Sequence, residues 1–170
     1  MMGRNGAQRY LFQAIDAVKR KDDATAETLF LSALQHYPSR SDGRKTTLIH
    51  LGAIYRRSAR FDEAIAALEQ GLPFPAAFTE LKGIYRFFAK ACHKEKDSSG
   101  ERANYAKLYS LAMIEAMLVA QRLPSSELER WMDSWRGKLY WYKPDATGVD
   151  RIEIAKLLGP ADCRAIRSWV

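Results

Sequence analysis

Apolar side chains recur every three to four residues along most of this chain. No stretch of useful length alternates apolar with polar residues. Residues 79–92 place Leu81, Ile84, Tyr85, Phe88, Ala91 and Cys92 on one broad helical face. Residues 103–120 do the same with Tyr105, Leu108, Tyr109, Ala112, Ala116 and Val119, and are apolar enough to predict contact on two sides. A period of 3.6 rather than 2 predicts an all-α protein.

The breaks between these runs are legible from turn chemistry. Asp22-Asp23 separates a helix at about 7–20 from one at about 24–36, which ends before Pro38. PSRSDGRK leads to a third helix starting near Thr46, and Asp62 is the expected N-cap of a fourth that stops before Pro73. LPFPAAF precedes the 79–93 helix, and KEKDSSGE reads as an exposed turn before a helix at 101–122. After Pro124, Ser126 and Glu129 have capping-box spacing. Two short helices, about 150–158 and 161–169, are expected to finish the chain.

Residues 51–72, LGAIYRRSARFDEAIAALEQGL, interleave small residues (Gly52, Ala59, Ala64, Gly71) with large ones (Tyr55, Phe61, Leu68). Two antiparallel helices explain the schedule, because their backbones approach closely where a small side chain faces a large one. The pattern resembles the tetratricopeptide repeat, a helix–turn–helix unit of about 34 residues. Ala26, Phe30, Ala33, Leu34 and Pro38 match the second half of that repeat, and Tyr10 stands where its first aromatic belongs. Gln13, Ala14 and Ala17 depart from its usual Leu, Gly and Tyr, and Ala76 stands in place of a proline. A third unit is expected on Leu81 and Tyr85, with Lys82 in place of the glycine. The resemblance covers about residues 7–122 and implies antiparallel helix pairs stacked as a short solenoid. The domain division expected is repeats over 1–124 and a C-terminal capping segment over 125–170, packed on the same domain.

The resemblance also implies a function. Members of this family bind peptides or helices in a concave groove lined by the first helix of each pair, since stacked pairs leave a long continuous surface. Carried onto this chain, the groove positions are Leu11, Ile15 and Val18; then Ile49, Ala53 and Arg56; then Thr79, Gly83 and Arg86. The Lys and Asn by which some members grip a terminal carboxylate are missing at these positions. Arg56 and Arg86 instead imply a basic ladder beside an apolar floor, suited to a protein or peptide partner with acidic residues. The bland alternative is that both simply reach into water from packed helices.

Leu128, Trp131, Trp135, Leu139 and Tyr142 share one helical face, expected to seal the end of the repeats. Tyr140 and Trp141 fall off that face. Residues 152–169 resemble a helix-turn-helix motif through Ile154, Ala155, Leu158, Gly159, Ile166 and Trp169. That resemblance implies a DNA-binding regulator, the competing expectation. Pro160 directly after the turn glycine, a spacing one residue too long and few basic residues weigh against it.

Charge does not choose between these partners. The net charge is +7, and between residues 40 and 60 Arg40, Arg44, Lys45, Arg56, Arg57 and Arg60 are opposed by Asp42. His36, His50 and His93 show no metal-ligand spacing, and no phosphate loop or nucleophile motif occurs, so a non-enzymatic protein without metal or cofactor is expected. Cys92 lies on an apolar face and reads as core. Two cysteines, no signal-like apolar start and no run of about 18 apolar residues predict a cytoplasmic protein that does not engage a membrane.

Overall fold

A computed structural model describes residues 3–120 and 151–167. These residues form eight α-helices and no strand: α1 (Gly3–Lys19), α2 (Asp23–His36), α3 (Asp42–Arg57), α4 (Phe61–Gln70), α5 (Pro75–Lys94), α6 (Ser98–Val119), α7 (Arg151–Leu158) and α8 (Pro160–Arg167). The fold is all-α, as the period dictates, and neighbouring helices pack in pairs in a repeat-like arrangement. The chain divides into two compact units, Met1–Glu80 and Leu81–Val170, with the division inside α5. Within the second unit, α7 and α8 pack on α6. The aromatic face at 128–142, the Ser126 capping box and Trp169 lie outside the described residues.

One turn geometry closes each of the first three helix pairs. Lys21, Ala59 and Lys96 all take the left-handed conformation, at φ 59, 57 and 58°. The Lys21, Ala59 and Lys96 amides donate to Val18, Arg56 and His93 at 2.9, 3.1 and 3.1 Å. The next amides, of Asp22, Arg60 and Asp97, donate to Ala17, Tyr55 and Cys92 at 3.0, 2.8 and 2.9 Å. This is the Schellman closure, which satisfies the last carbonyls of one helix as the chain reverses into the next. Asp22 and Asp97 then accept from the Thr25 and Gly100 amides, at 3.1 and 2.9 Å, and cap the following helices. Arg60 holds the equivalent place in the middle turn without a side-chain cap. Asp62, expected to be that cap, sits in the first turn of α4 beside Glu63, where negative charge suits the helix dipole.

Other helix starts differ from expectation for local reasons. Ser41 accepts from the Arg44 amide at 3.2 Å, so α3 begins at Asp42 rather than near Thr46. Pro75 occupies the first position of α5, where its missing N–H costs nothing.

In the first unit, Ala7, Ala14, Ala17, Ala26 and Ala33 are fully buried where α1 meets α2, with Phe30 among them. A Cβ on Gly52 would come 2.6 Å from Leu68 Cδ2, so α3 and α4 meet at a glycine facing a leucine, as the small-large schedule predicts. Full burial of a side chain such as Phe30 or Leu68 contributes about 1.5–3 kcal/mol. In the second unit, every residue from Ser110 to Met117 of α6 is buried. Burial all round, rather than on two sides, explains why this segment shows a run of apolar residues instead of a stripe.

Candidate peptide-binding surface

The expected groove positions of the first unit lie along the less buried faces of α1 and α3. Leu11 is packed into the core, whereas Ile15 and Val18 are half-buried, and Phe12 beside them is 57% exposed. On α3, Ile49, Ala53 and Arg56 are half-buried, opposite the buried face of Leu48, Leu51, Gly52 and Tyr55. Ile49 also packs over the end of α4, where a Cβ on Gly71 would lie 2.6 Å from its Cγ1. The α2 helix packs on both α1 and α3: Tyr10 meets His36, and Phe30 stacks on His50 with ring centroids 5.2 Å apart and planes 6° from parallel.

Neither of the two arginines expected to receive an acidic ligand lacks a carboxylate inside the chain. Arg56 Nη1 donates to Glu80 at 2.8 Å, with both side chains partly exposed. Such a pair is worth at most about 1 kcal/mol and leaves Arg56 able to exchange partners. Arg86 is held differently. Its Nε donates to both Asp162 oxygens at 3.0 and 2.9 Å and its Nη2 to Oδ2 at 2.6 Å, while the carboxylate is nearly buried. The Asp162 hydrogen bond holds the Arg86 guanidinium above its ordinary value, against the burial that would lower it.

Thr79 is exposed and donates to the Pro75 carbonyl at 3.1 Å, and Gly83 is buried. The turn geometry explains this placing. The left-handed residues fall at 21, 59 and 96, intervals of 38 and 37 residues. Leu11, Ile15 and Val18 map onto Ile49, Ala53 and Arg56 by the first interval; the second carries these onto Arg86, Lys90 and His93. In turn register, the third pair therefore aligns Ala89 with Gly52 and Cys92 with Tyr55, not Lys82 and Tyr85 as the sequence suggested. The α5 helix is longer at its N-terminal end, which puts Lys82 and Tyr85 on the spacing of the earlier pairs.

The structure also joins residues that the groove reading passed over. Lys82 Nζ donates to Glu115 and to the Leu157 carbonyl, each at 2.8 Å, and both charged side chains are buried. Their sequence signal was a charge inside an apolar face: Lys82 beside Leu81 and Ile84, and Glu115 within 111–120. In the first unit, Arg57 binds Asp23 through both carboxylate oxygens, at 3.0 and 2.7 Å. Arg60 reaches Glu27 and Glu63 while lying 4.3 Å from the centre of the Tyr55 ring. Much of the basic run at 40–60 therefore joins helices to one another.

Burial, then the Asp97 carboxylate, pushes the Cys92 thiol up, so it stays protonated at neutral pH. His93 faces Glu101 at 3.2 Å. Among the described residues, no cluster of three or more His, Cys, Asp or Glu could hold a metal, and no helix is long and apolar enough to cross a membrane. Comparison with protein-family models, curated proteins and solved structures gave no match.

Proposed function

We propose that this chain is a non-enzymatic interaction module of the tetratricopeptide-like kind, an adaptor or chaperone that takes a peptide or helix from a protein partner. The observation that carries the reading is the recurrence of one Schellman turn at 38- and 37-residue intervals, with half-exposed apolar rows on α1 and α3 in matching register. Repetition of a helix pair multiplies one kind of surface, which is useful for holding an extended ligand. Ile15, Val18, Ile49 and Ala53 offer the apolar floor, and Arg56, in an exchangeable pair, offers a cation for an acidic residue of the partner. A cytoplasmic setting belongs to the same proposal.

The test is purification of the tagged full chain from its host, with nuclease, beside an Ile15→Arg/Ala53→Arg variant. Both positions are half-exposed, so the variant should keep its helical spectrum. A protein that survives nuclease and is depleted at least tenfold by the variant supports the reading. Equal recovery with both chains overturns the assignment of the surface. Recovery of nucleic acid, lost on substitution of the exposed Arg164 and Arg167, would favour the competing DNA-binding proposal.

A further inference from the structure

We propose that the second unit binds single-stranded nucleic acid through two exposed rows, Phe87, Lys90 and Lys94 on α5 and Arg164 and Arg167 on α8. The site stands independently of the peptide reading, which concerns the first unit. The net charge of +7 is divided unequally: residues 1–80 hold 11 Lys/Arg against 9 Asp/Glu, and residues 81–170 hold 16 against 11. The basic run of the first unit is also engaged internally, since Arg56, Arg57 and Arg60 each meet a carboxylate. In the second unit Lys90, Lys94, Arg164 and Arg167 are exposed and, among the described residues, meet none.

Helical spacing and one ion pair bring these groups together. Phe87, Lys90 and Lys94 stand at i, i+3 and i+7 on the solvent side of α5, whose Tyr85 and Ala89 face the core. Arg164 and Arg167 stand three apart on α8, whose Asp162 and Ile166 are buried. Arg86 binds Asp162, so the start of α8 lies against α5 one turn before Lys90. The acids nearby do not cancel the rows. Asp162 is buried on Arg86, Asp97 caps α6, Glu101 faces His93, and Glu95 follows α5 beyond its last residue.

The mixture of groups selects the partner. The cores of protein interfaces are poor in lysine, whereas phosphate chains are held by successive lysines and arginines. Lys90 and Lys94 are about 6 Å apart along the helix axis, close enough to serve one strand. Phe87 is 52% exposed, with its ring tilted against Phe88 at a centroid distance of 6.0 Å. An exposed ring beside cations offers a stacking platform, which an unpaired base can use and a base within a duplex cannot.

Fluorescence anisotropy of the intact chain with labelled 20-mers of deoxythymidine and of uridine tests this. Four phosphate contacts predict a slope of about −3 for log affinity against log salt. Lys90→Gln/Lys94→Gln should weaken binding at least tenfold at low salt and reduce that slope by about half. Phe87→Ala should weaken it about tenfold with the slope unchanged, and Phe87→Trp should restore it. All these positions are exposed, and circular dichroism should show unchanged helix content. Stronger binding of one 20-mer would name the sugar and support the site. Absent binding, or binding indifferent to residues 87, 90 and 94, overturns the proposal. Equal competition by polyglutamate or by vesicles of anionic lipid would show a site for any polyanion and also overturn it. A preference for duplex that depends on Arg164 and Arg167 alone would favour the helix-turn-helix reading instead. None of these measurements uses the first unit's apolar rows, so failure here remains distinguishable from failure of the peptide reading.

Discussion

At Gly52 the packing of α3 on α4 depends on a single missing methyl group. Alanine usually improves a helix by about 1 kcal/mol over glycine. Here its Cβ would press on Leu68, which is fully buried and has nowhere to move. Overpacking of this kind costs about 1–3 kcal/mol, so Gly52→Ala should lower stability to denaturant by about 1 kcal/mol. In a Leu68→Ala background the same change should become neutral or stabilising, because the obstruction is gone. A cycle lacking that reversal of sign would contradict the close approach. His50, stacked on Phe30, governs a second effect. Burial, then Arg57, lowers its pKa below the ordinary value of about 6.5. The unfolded chain therefore binds the proton more readily, and this contribution to stability is full above about pH 6.5 and lost as pH falls toward the lowered value. Denaturation midpoints between pH 7.5 and 5 should fall, and His50→Phe should flatten that part of the profile.

The elements reveal a cost that the sequence leaves in place. Each of the three turns puts a residue with a side chain into the left-handed region, which glycine enters without penalty. Replacement of Lys21, Ala59 or Lys96 by glycine should raise stability by about 0.5–1 kcal/mol each. The Lys21→Gly and Ala59→Gly gains should add, since the turns share no contacts in the hydrogen-bond pattern. Equilibrium unfolding in urea measures both statements. At Gly159 the sign is opposite: Gly159→Ala should weaken the docking of α7–α8 by about 1 kcal/mol despite the free space, because φ there is 88°. Increased exchange of the 151–167 amides is its readout.

Among the described residues, several ion pairs join helices distant in sequence. Lys82 and Glu115 form a buried pair 33 residues apart, and each is costly without the other. Glu115→Ala should reduce the stability of the second unit by about 3–5 kcal/mol, and Lys82→Met/Glu115→Leu should recover most of it. Thermal unfolding of the two variants decides whether the pair is a net asset or a constraint on specificity. The two positions were legible as oddities, a lysine and a glutamate in apolar surroundings, but their partnership was not. Arg86 was similarly picked out by its spacing from Arg56, while the residue it grips lies 76 positions away.

The sequence by itself determined the helical period, most turns, and the interleaving of small with large residues over 51–72, since these follow from local geometry and side-chain volume; that Gly52 meets Leu68 came from the structure. The sequence pointed to a different register for the third pair, because an extended α5 puts Leu81 and Tyr85 on a familiar spacing while the turn at Lys96 sets the alignment. Only the tertiary structure decided which charges meet. A periodic pattern states which face of a helix is apolar, but not which helix covers it. The long-range pairing of Lys82 with Glu115 and of Arg86 with Asp162 exists only once that choice has been made.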